Sequence, residues 1–163
     1  MATSKYTIVV GTEAEGRAMI GHRTPPVAGG VAVNEALIRL VCTTIRDGNP
    51  RYWQDGESPP GMAYTWIQTM PWAPDQPVRP RVLAVTVPLP GDRVVNTNQR
   101  VEFHEIIRVG DRLSMVEELV SISEEKATPV GRGHFIVTTG IISRQDGVCV
   151  ATVTNTLFRY REQ

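Results

Sequence analysis

One seven-residue segment, Asp47-Gly48-Asn49-Pro50-Arg51-Tyr52-Trp53, brings together a carboxylate, an amide and a phenol. An aspartate serves as a general acid or base where its surroundings move its pKa toward the working pH. The same spacing also describes something plainer. Asp and Asn side chains accept from backbone N–H groups two residues on, so the segment equally reads as an Asx-type turn closing a helix. Tyr52 is a poor proton carrier at neutral pH, since a free phenol titrates near about 10. No histidine stands beside the segment by spacing: His22 lies before the preceding helix, and His104 and His134 fall on expected strands. Cys42 and Cys149 read as small apolar packing residues, with nothing nearby to lower a thiol pKa. Two cysteines exclude both a disulfide scaffold and a four-cysteine zinc site, and no metal site is expected.

The elements that must position this segment follow from periodicity. Asn34 is a good N-cap, and Glu35 sits in the first turn where the helix dipole favours an acid. Ala36, Leu37, Leu40, Val41 and Ile45 recur at helical spacing, with Ile38 and Cys42 widening the stripe. A helix apolar around most of its circumference is normally wrapped by other structure. It is expected to stop at Asp47-Gly48-Asn49-Pro50, where glycine and proline act as breakers. Residues 1–30 are irregular. Residues 47–80 hold most of the prolines and all three tryptophans, Trp53, Trp66 and Trp72, with about two helical turns expected after Pro60. Such an ordered excursion is where a binding wall is expected, formed by Trp53, Pro60, Met62, Trp66 and Trp72.

The second half reads as strands. Val82–Val87 alternates weakly, Arg100–Ile107 more clearly, and three long alternating stretches follow in 112–124, 134–142 and 148–158. Gln145-Asp146-Gly147 is a hairpin turn. Gly131-Arg132-Gly133 precedes a strand rather than a helix, so it reads as a bulge or turn and not as a phosphate loop. One long apolar helix followed by antiparallel strands predicts an α+β fold, a single hot-dog domain over 1–163 whose curved sheet wraps a central helix. Its open sheet edge predicts an oligomer.

Composition narrows the function. The 163 residues carry 17 basic and 17 acidic side chains, a net charge of zero, without the basic excess of a nucleic-acid binder. No apolar run is long enough to span a bilayer, and the first residues lack a signal-peptide core, so a cytoplasmic location is expected.

The buried helix, then D-x-N-P-x-aromatic, the Pro59-Pro60 turn, Trp66 and Val109-Gly110-Asp111-Arg112-Leu113 together resemble the MaoC-like (R)-specific enoyl-CoA hydratases. The resemblance is closest to their FAS1-like dehydratase units and runs from about Arg17 to Arg161. It implies water addition across the double bond of an enoyl-CoA thioester, with no cofactor. The family motif is D-x-N-P-x-H, in which the aspartate and histidine hold a water and move protons. Asp47, Asn49 and Pro50 match it, but Tyr52 stands where the histidine belongs. The chain therefore resembles the degenerate member of a pair, which shapes the acyl pocket while a second hot-dog subunit carries the dyad. Only Gln54–Ser58 separates Trp53 from Pro59, shorter than in most relatives, which resembles units acting on steroid side-chain CoA thioesters. Arg79, Arg81 and the arginines of the Phe158–Glu162 tail are candidates for CoA phosphates. Two alternatives stay open: a self-sufficient homodimeric hydratase or thioesterase using Asp47 with Asn49 or Tyr52, and a non-enzymatic acyl-CoA-binding module.

Overall fold

A computed structural model describes residues 8–69 and 82–162. In chain order the elements are α1 (Glu13–Ala18), β1 (Val27–Ala28), α2 (Glu35–Ile45), α3 (Pro50–Trp53), α4 (Ala63–Trp66), β2 (Arg93–Phe103), β3 (Leu113–Ile122), β4 (Lys126–Thr128), β5 (Gly131–Arg144) and β6 (Cys149–Arg161), with 3-10 turns at Pro60–Met62 and Leu83–Val85. The strands pair antiparallel in the order β1-β3-β5-β6-β2, and β4 pairs with β5. The helices lie against one face of this sheet.

Helix α2 starts where the sequence predicts. The Asn34 side chain accepts from the Leu37 N–H at 2.9 Å, satisfying one of the amides a helix start leaves open. The loop Val109–Arg112 is tied to this start, because Val33 N–H donates to Asp111 O at 2.8 Å and Gly110 N–H to Val33 O at 2.9 Å. Only Ile38 and Cys42 are fully buried on α2, while Leu37 and Val41 pack partly against the core. Leu40 and Ile45 remain 63% and 61% exposed. The wrapping expected of so apolar a helix is thus met on one side only.

Its end differs from expectation. Asp47 N–H donates to Cys42 O at 2.8 Å and Arg46 N–H to Thr43 O at 3.3 Å, the paired bonds of a Schellman cap. The left-handed position is held by Arg46, at φ 58°, and not by Gly48. A non-glycine residue there stores about 1–2 kcal/mol of steric strain immediately before the Asp47 segment.

The long strands lie close to their expected limits, and the 144–147 turn closes with Gly147 at φ 84°. Three expectations fail. Residues 1–30 are not irregular throughout: they hold β1 and α1, the latter started by a capping box in which Thr12 Oγ1 accepts from Glu15 N–H and Glu15 Oε2 from Thr12 N–H. Val82–Val87 is a 3-10 turn: Leu83, Ala84, Val87 and Leu89 are all buried beneath the sheet, and Pro88 and Pro90 stop the segment from pairing as a strand. The edge strand β2 overlaps the expected Arg100–Ile107 only at Arg100–Phe103 and begins seven residues earlier, where 96–100 are polar on both faces and show no alternation to read.

Two apolar clusters fill the interior. One joins Val33, Ile38, Cys42, Met62, Trp66 and Ile107 to Leu113, Ile142, Val150 and Val153; the other joins Leu83, Val87 and Leu89 to Leu119, Ile122, Ile136 and Leu157. Arg159 is fully buried beside the second cluster. It donates to Ala84 O at 2.8 Å and to Val9 O at 3.0 Å, and desolvation pushes its guanidinium down to about 10. It is therefore committed to backbone carbonyls rather than to a ligand phosphate, and Arg161 pairs with Glu125 at 2.9 Å. Arg79 and Arg81 lie outside the described residues.

Glycine at 133 is required by close approach. A Cβ there would sit 1.9 Å from the Arg159 carbonyl oxygen, whereas one at Gly48 would meet nothing within 4 Å. Gly133→Ala is expected to lower stability by about 2–3 kcal/mol or more through backbone displacement, and Gly48→Ala to leave it level or raise it by about 0.5 kcal/mol. Denaturant midpoints of the two variants check this.

Candidate active site

The Asp47 segment is built from backbone needs. Asp47 Oδ1 accepts from Asn49 N–H at 3.0 Å, and Asn49 Oδ1 accepts from Arg51 N–H at 3.2 Å. Asn49 thus caps α3, and Pro50 occupies the first turn, where its missing N–H costs nothing. The Trp53 indole returns to donate to Asp47 O at 2.7 Å. Strained cap, Asx turn and capped helix form one continuous unit that fixes Asp47, Asn49, Tyr52 and Trp53 relative to α2. Among the described residues, Asp47 Oδ2 makes no hydrogen bond, so one carboxylate oxygen is left for other work.

Tyr52 faces a cleft of about 360 Å³, together with Pro60, Phe103, His104 and Glu105. His104 Nε2 lies 2.9 Å from Thr152 Oγ1 on β6. The fold therefore brings a histidine to the same cleft as Tyr52, from the end of β2. The floor is Glu57, a buried carboxylate held by Arg51 at 2.6 Å and Arg108 at 3.2 Å. With Ser58 N–H donating to Ile107 O at 2.8 Å, these ion pairs pin the short Gln54–Ser58 connection.

The expected wall residues separate. Pro60 lines the cleft. Trp53 is half-buried with Arg39 over its ring at 5.8 Å. Met62 and Trp66 are buried in the first core cluster, and the Trp66 indole donates to Ser58 Oγ at 2.8 Å. Trp72 lies outside the described residues. Cys42 is buried and Cys149 half-buried. No group of three or more His, Cys, Asp or Glu side chains among the described residues is placed to hold a metal.

A second space, about 240 Å³, opens between the 24–27 segment, α4, the 82–86 turn and β3. Carbon makes up most of its exposed lining, but Thr24, Tyr64, Gln68, Thr69 and Thr86 also border it, and its one carboxyl is Glu117. This carboxyl is buried, accepts from Leu83 N–H at 2.9 Å through Oε2, and has Thr138 Oγ1 at 3.5 Å from Oε1. Burial raises it above the usual carboxylate range, with the two hydrogen bonds pulling it back. Sequence periodicity contains the signal: in Leu113, Met115, Glu117, Leu119 one acid interrupts an inward apolar row. Reading only the apolar members of that row passes over it.

A helix laid on a curved antiparallel sheet, with its exit segment facing a cleft, defines the hot-dog class. The family model described as "FAS1-like, dehydratase domain region" matches residues 18–153, and the chain belongs to that family. It is 43% identical over 68 residues to the "Probable enoyl-CoA hydratase alpha subunit" of Thermomonospora curvata, a match covering 42% of this chain. The chain spans about a fifth of that relative's length (21%). The ChsH1-ChsH2 complex from Mycobacterium tuberculosis superposes with TM-score 0.68 at 21% identity, covering 92% of this chain and 89% of the other. The R-hydratase PhaJ1 from Pseudomonas aeruginosa gives TM-score 0.54 at 14% identity, covering 88% and 83%. At these identities the two structures speak to the fold alone. No helix among the described residues is long and apolar enough to cross a membrane.

The buried acid makes stability depend on pH. An unfolded glutamate titrates near about 4.3. Between that value and its higher folded one, the unfolded chain has released a proton that the folded chain keeps. The Glu117 contribution to stability therefore falls as pH rises through this window. Glu117→Gln is expected to remove the fall, so its Tm gains on wild type between about pH 4 and about pH 8. A constant Tm difference across that series would assign the ionisation no part in stability.

Proposed function

We propose that the chain is one hot-dog subunit of an enoyl-CoA hydratase acting on a bulky, steroid-side-chain type of acyl-CoA thioester in the cytoplasm. Its part is the acyl pocket with the degenerate Asp47 segment; a second hot-dog subunit carries the complete Asp/His dyad. The observation that carries this reading is the D-x-N-P unit itself. It leaves α2 at the place where the resemblance puts the family's dyad, with one Asp47 oxygen bound to backbone and a phenol at the histidine position.

Hydration adds a hydroxyl to C3 and a proton to C2 of the enoyl thioester, so water is the only co-reactant. Two proton-transfer groups are needed, one to take a proton from water and one to deliver a proton to carbon. The partner's dyad supplies both; in this chain Asp47 and Asn49 form the degenerate remnant of the motif and hold α3 in place, and Tyr52 borders the cleft. Trp53 and Pro60 flank that wall; Met62 and Trp66 support it from the core, and Trp72 is the remaining wall residue proposed. The pinned Gln54–Ser58 connection leaves room above the cleft for a bulky group. Need for a partner also accords with the exposed Leu40 and Ile45 on α2 and with an edge of β2 that is unpaired among the described residues. One relative's name includes an alpha subunit, and one similar structure is a two-component complex.

The rival, a self-sufficient hydratase or thioesterase, draws on His104 sharing the cleft with Tyr52. A non-enzymatic acyl-CoA-binding module has no observation of its own in its favour. Assay of the purified chain, alone and co-purified with a second hot-dog subunit, separates all three. The proposal expects hydration only in the mixed complex, with a polycyclic enoyl-CoA preferred over a four-carbon one. Hydration by the chain alone, abolished by His104→Ala, would establish the rival. In the mixed complex Asp47→Ala is expected to keep kcat within about tenfold, since the partner dyad carries the chemistry; a loss of about 10²-fold or more would make Asp47 a proton-transfer group.

A further inference from the structure

We infer that Glu117 reads a single oxygen-bearing group, a ketone or hydroxyl, on an otherwise apolar ligand seated in the cavity beneath α4. The inference deepens the acyl-pocket reading and rests on it for the identity of the natural ligand, but the cavity carries the argument.

Size comes first. An apolar cavity of about 150 Å³ accepts benzene, so one of about 240 Å³ takes roughly ten non-hydrogen atoms, a bicyclic portion of a larger group. Val27, Ile67, Val82, Leu83 and Met115 present carbon to it. Shape and polarity therefore select a compact hydrocarbon body.

The acid supplies the exception. Glu117 sits on β3 among inward apolar residues, and no cation is paired with it among the described residues. Arg23, the nearest arginine along the 22–27 segment, is engaged with Glu118 at 2.6 Å. The remaining groups facing it are neutral. Leu83 N–H donates to Oε2; Thr24 Oγ1 accepts the Glu117 backbone N–H at 3.0 Å; Thr138 and the Tyr64 phenol adjoin it, and Gln68, Thr69 and Thr86 share the cavity lining. A buried carboxyl without a counter-cation keeps its proton. Oε2 takes the firm bond from Leu83 N–H, so the proton is placed on Oε1, whose contact with Thr138 Oγ1 is long at 3.5 Å. Among the described residues no short hydrogen bond to Oε1 is formed, which leaves a donor at the edge of a mostly apolar space. A ligand oxygen would complete it, and a plain hydrocarbon would leave it unmade.

The test uses the full chain with two probes of matching size, 2-decalone and decalin, with affinities measured by titration calorimetry or ligand-observed NMR. Wild type is expected to bind 2-decalone, with affinity falling as pH rises and Glu117 ionises. Glu117→Gln retains a donor that does not titrate, so it should bind the ketone without that pH dependence. Glu117→Leu should weaken 2-decalone about tenfold while leaving decalin level or tighter. Equal loss of both probes in Glu117→Leu, or a ketone affinity unchanged in it, overturns the inference. So does a wild-type cavity that takes neither probe. Should Glu117→Leu fail to fold, the pH series on wild type and Glu117→Gln decides alone. Because neither probe carries a thioester, failure here with an active hydratase complex refutes only the Glu117 assignment. Binding as expected with an inactive complex refutes only the hydratase reading.

Discussion

Helix α2 has 11 residues and reaches about 16 Å, whereas β5 has 14 residues and runs about 46 Å, so one helix cannot cover the sheet it lies on. The remaining inner surface must be covered by loops and very short helices, namely segments of 8–34, 50–69 and 82–92. Buried irregular chain has a specific difficulty. Its amides and carbonyls find no ladder partners, and each one left unpaired costs about as much as a lost hydrogen bond. Polar side chains placed inside the sheet solve this. Arg159 caps the carbonyls of Val9 and Ala84 and Glu117 takes the amide of Leu83; in the other direction Arg17 of α1 caps the Ile122 and Ser123 carbonyls at the end of β3.

These side chains explain why the interior divides into two clusters. Beneath α2 the contacts are almost wholly apolar, because a helix satisfies its own backbone. Beneath the 82–89 segment a ring of hydrophobic residues surrounds Arg159 and adjoins Glu117. Burying an ionised group costs several kcal/mol unless it is well partnered. Arg159 meets that cost through carbonyls and stays protonated at neutral pH, whereas burial raises Glu117 above the usual carboxylate range. One requirement, covering the long sheet, thus produces a structural cation and an acid of raised pKa. Only the acid borders open space.

The same physics decides what the sequence could reveal. Helix α2 was legible because Asn34 and a 3.6-residue apolar rhythm are local signals, and β3, β5 and β6 because alternation is local too. Val82–Val87 misled because its apolar residues are buried by the sheet above them, a tertiary cause that leaves no period of its own. Arg46 was invisible as a cap: glycine is the usual left-handed residue, and Gly48 two positions on drew the assignment. The candidate site was readable as a segment, and its Asx turn as one of two meanings. That His104 would share its cleft was not, since the ends of distant elements meet only once β2 is paired with β6. Glu117 was recoverable, because an acid at an inward position of an alternating strand is a statement about burial that needs no structure.

Cleft and cavity are also mechanically joined. Ser58 lines the cleft and accepts the Trp66 indole proton; Trp66 closes α4, which carries Tyr64 into the cavity, and Ile67 follows it there. Trp66 itself is fully buried and packed in the α2 cluster, so it cannot shift without disturbing Met62 and Ile38. Through Trp66, one rigid core side chain, the Ser58 side of the cleft and the Tyr64–Ile67 wall of the cavity are fixed to the same packed cluster.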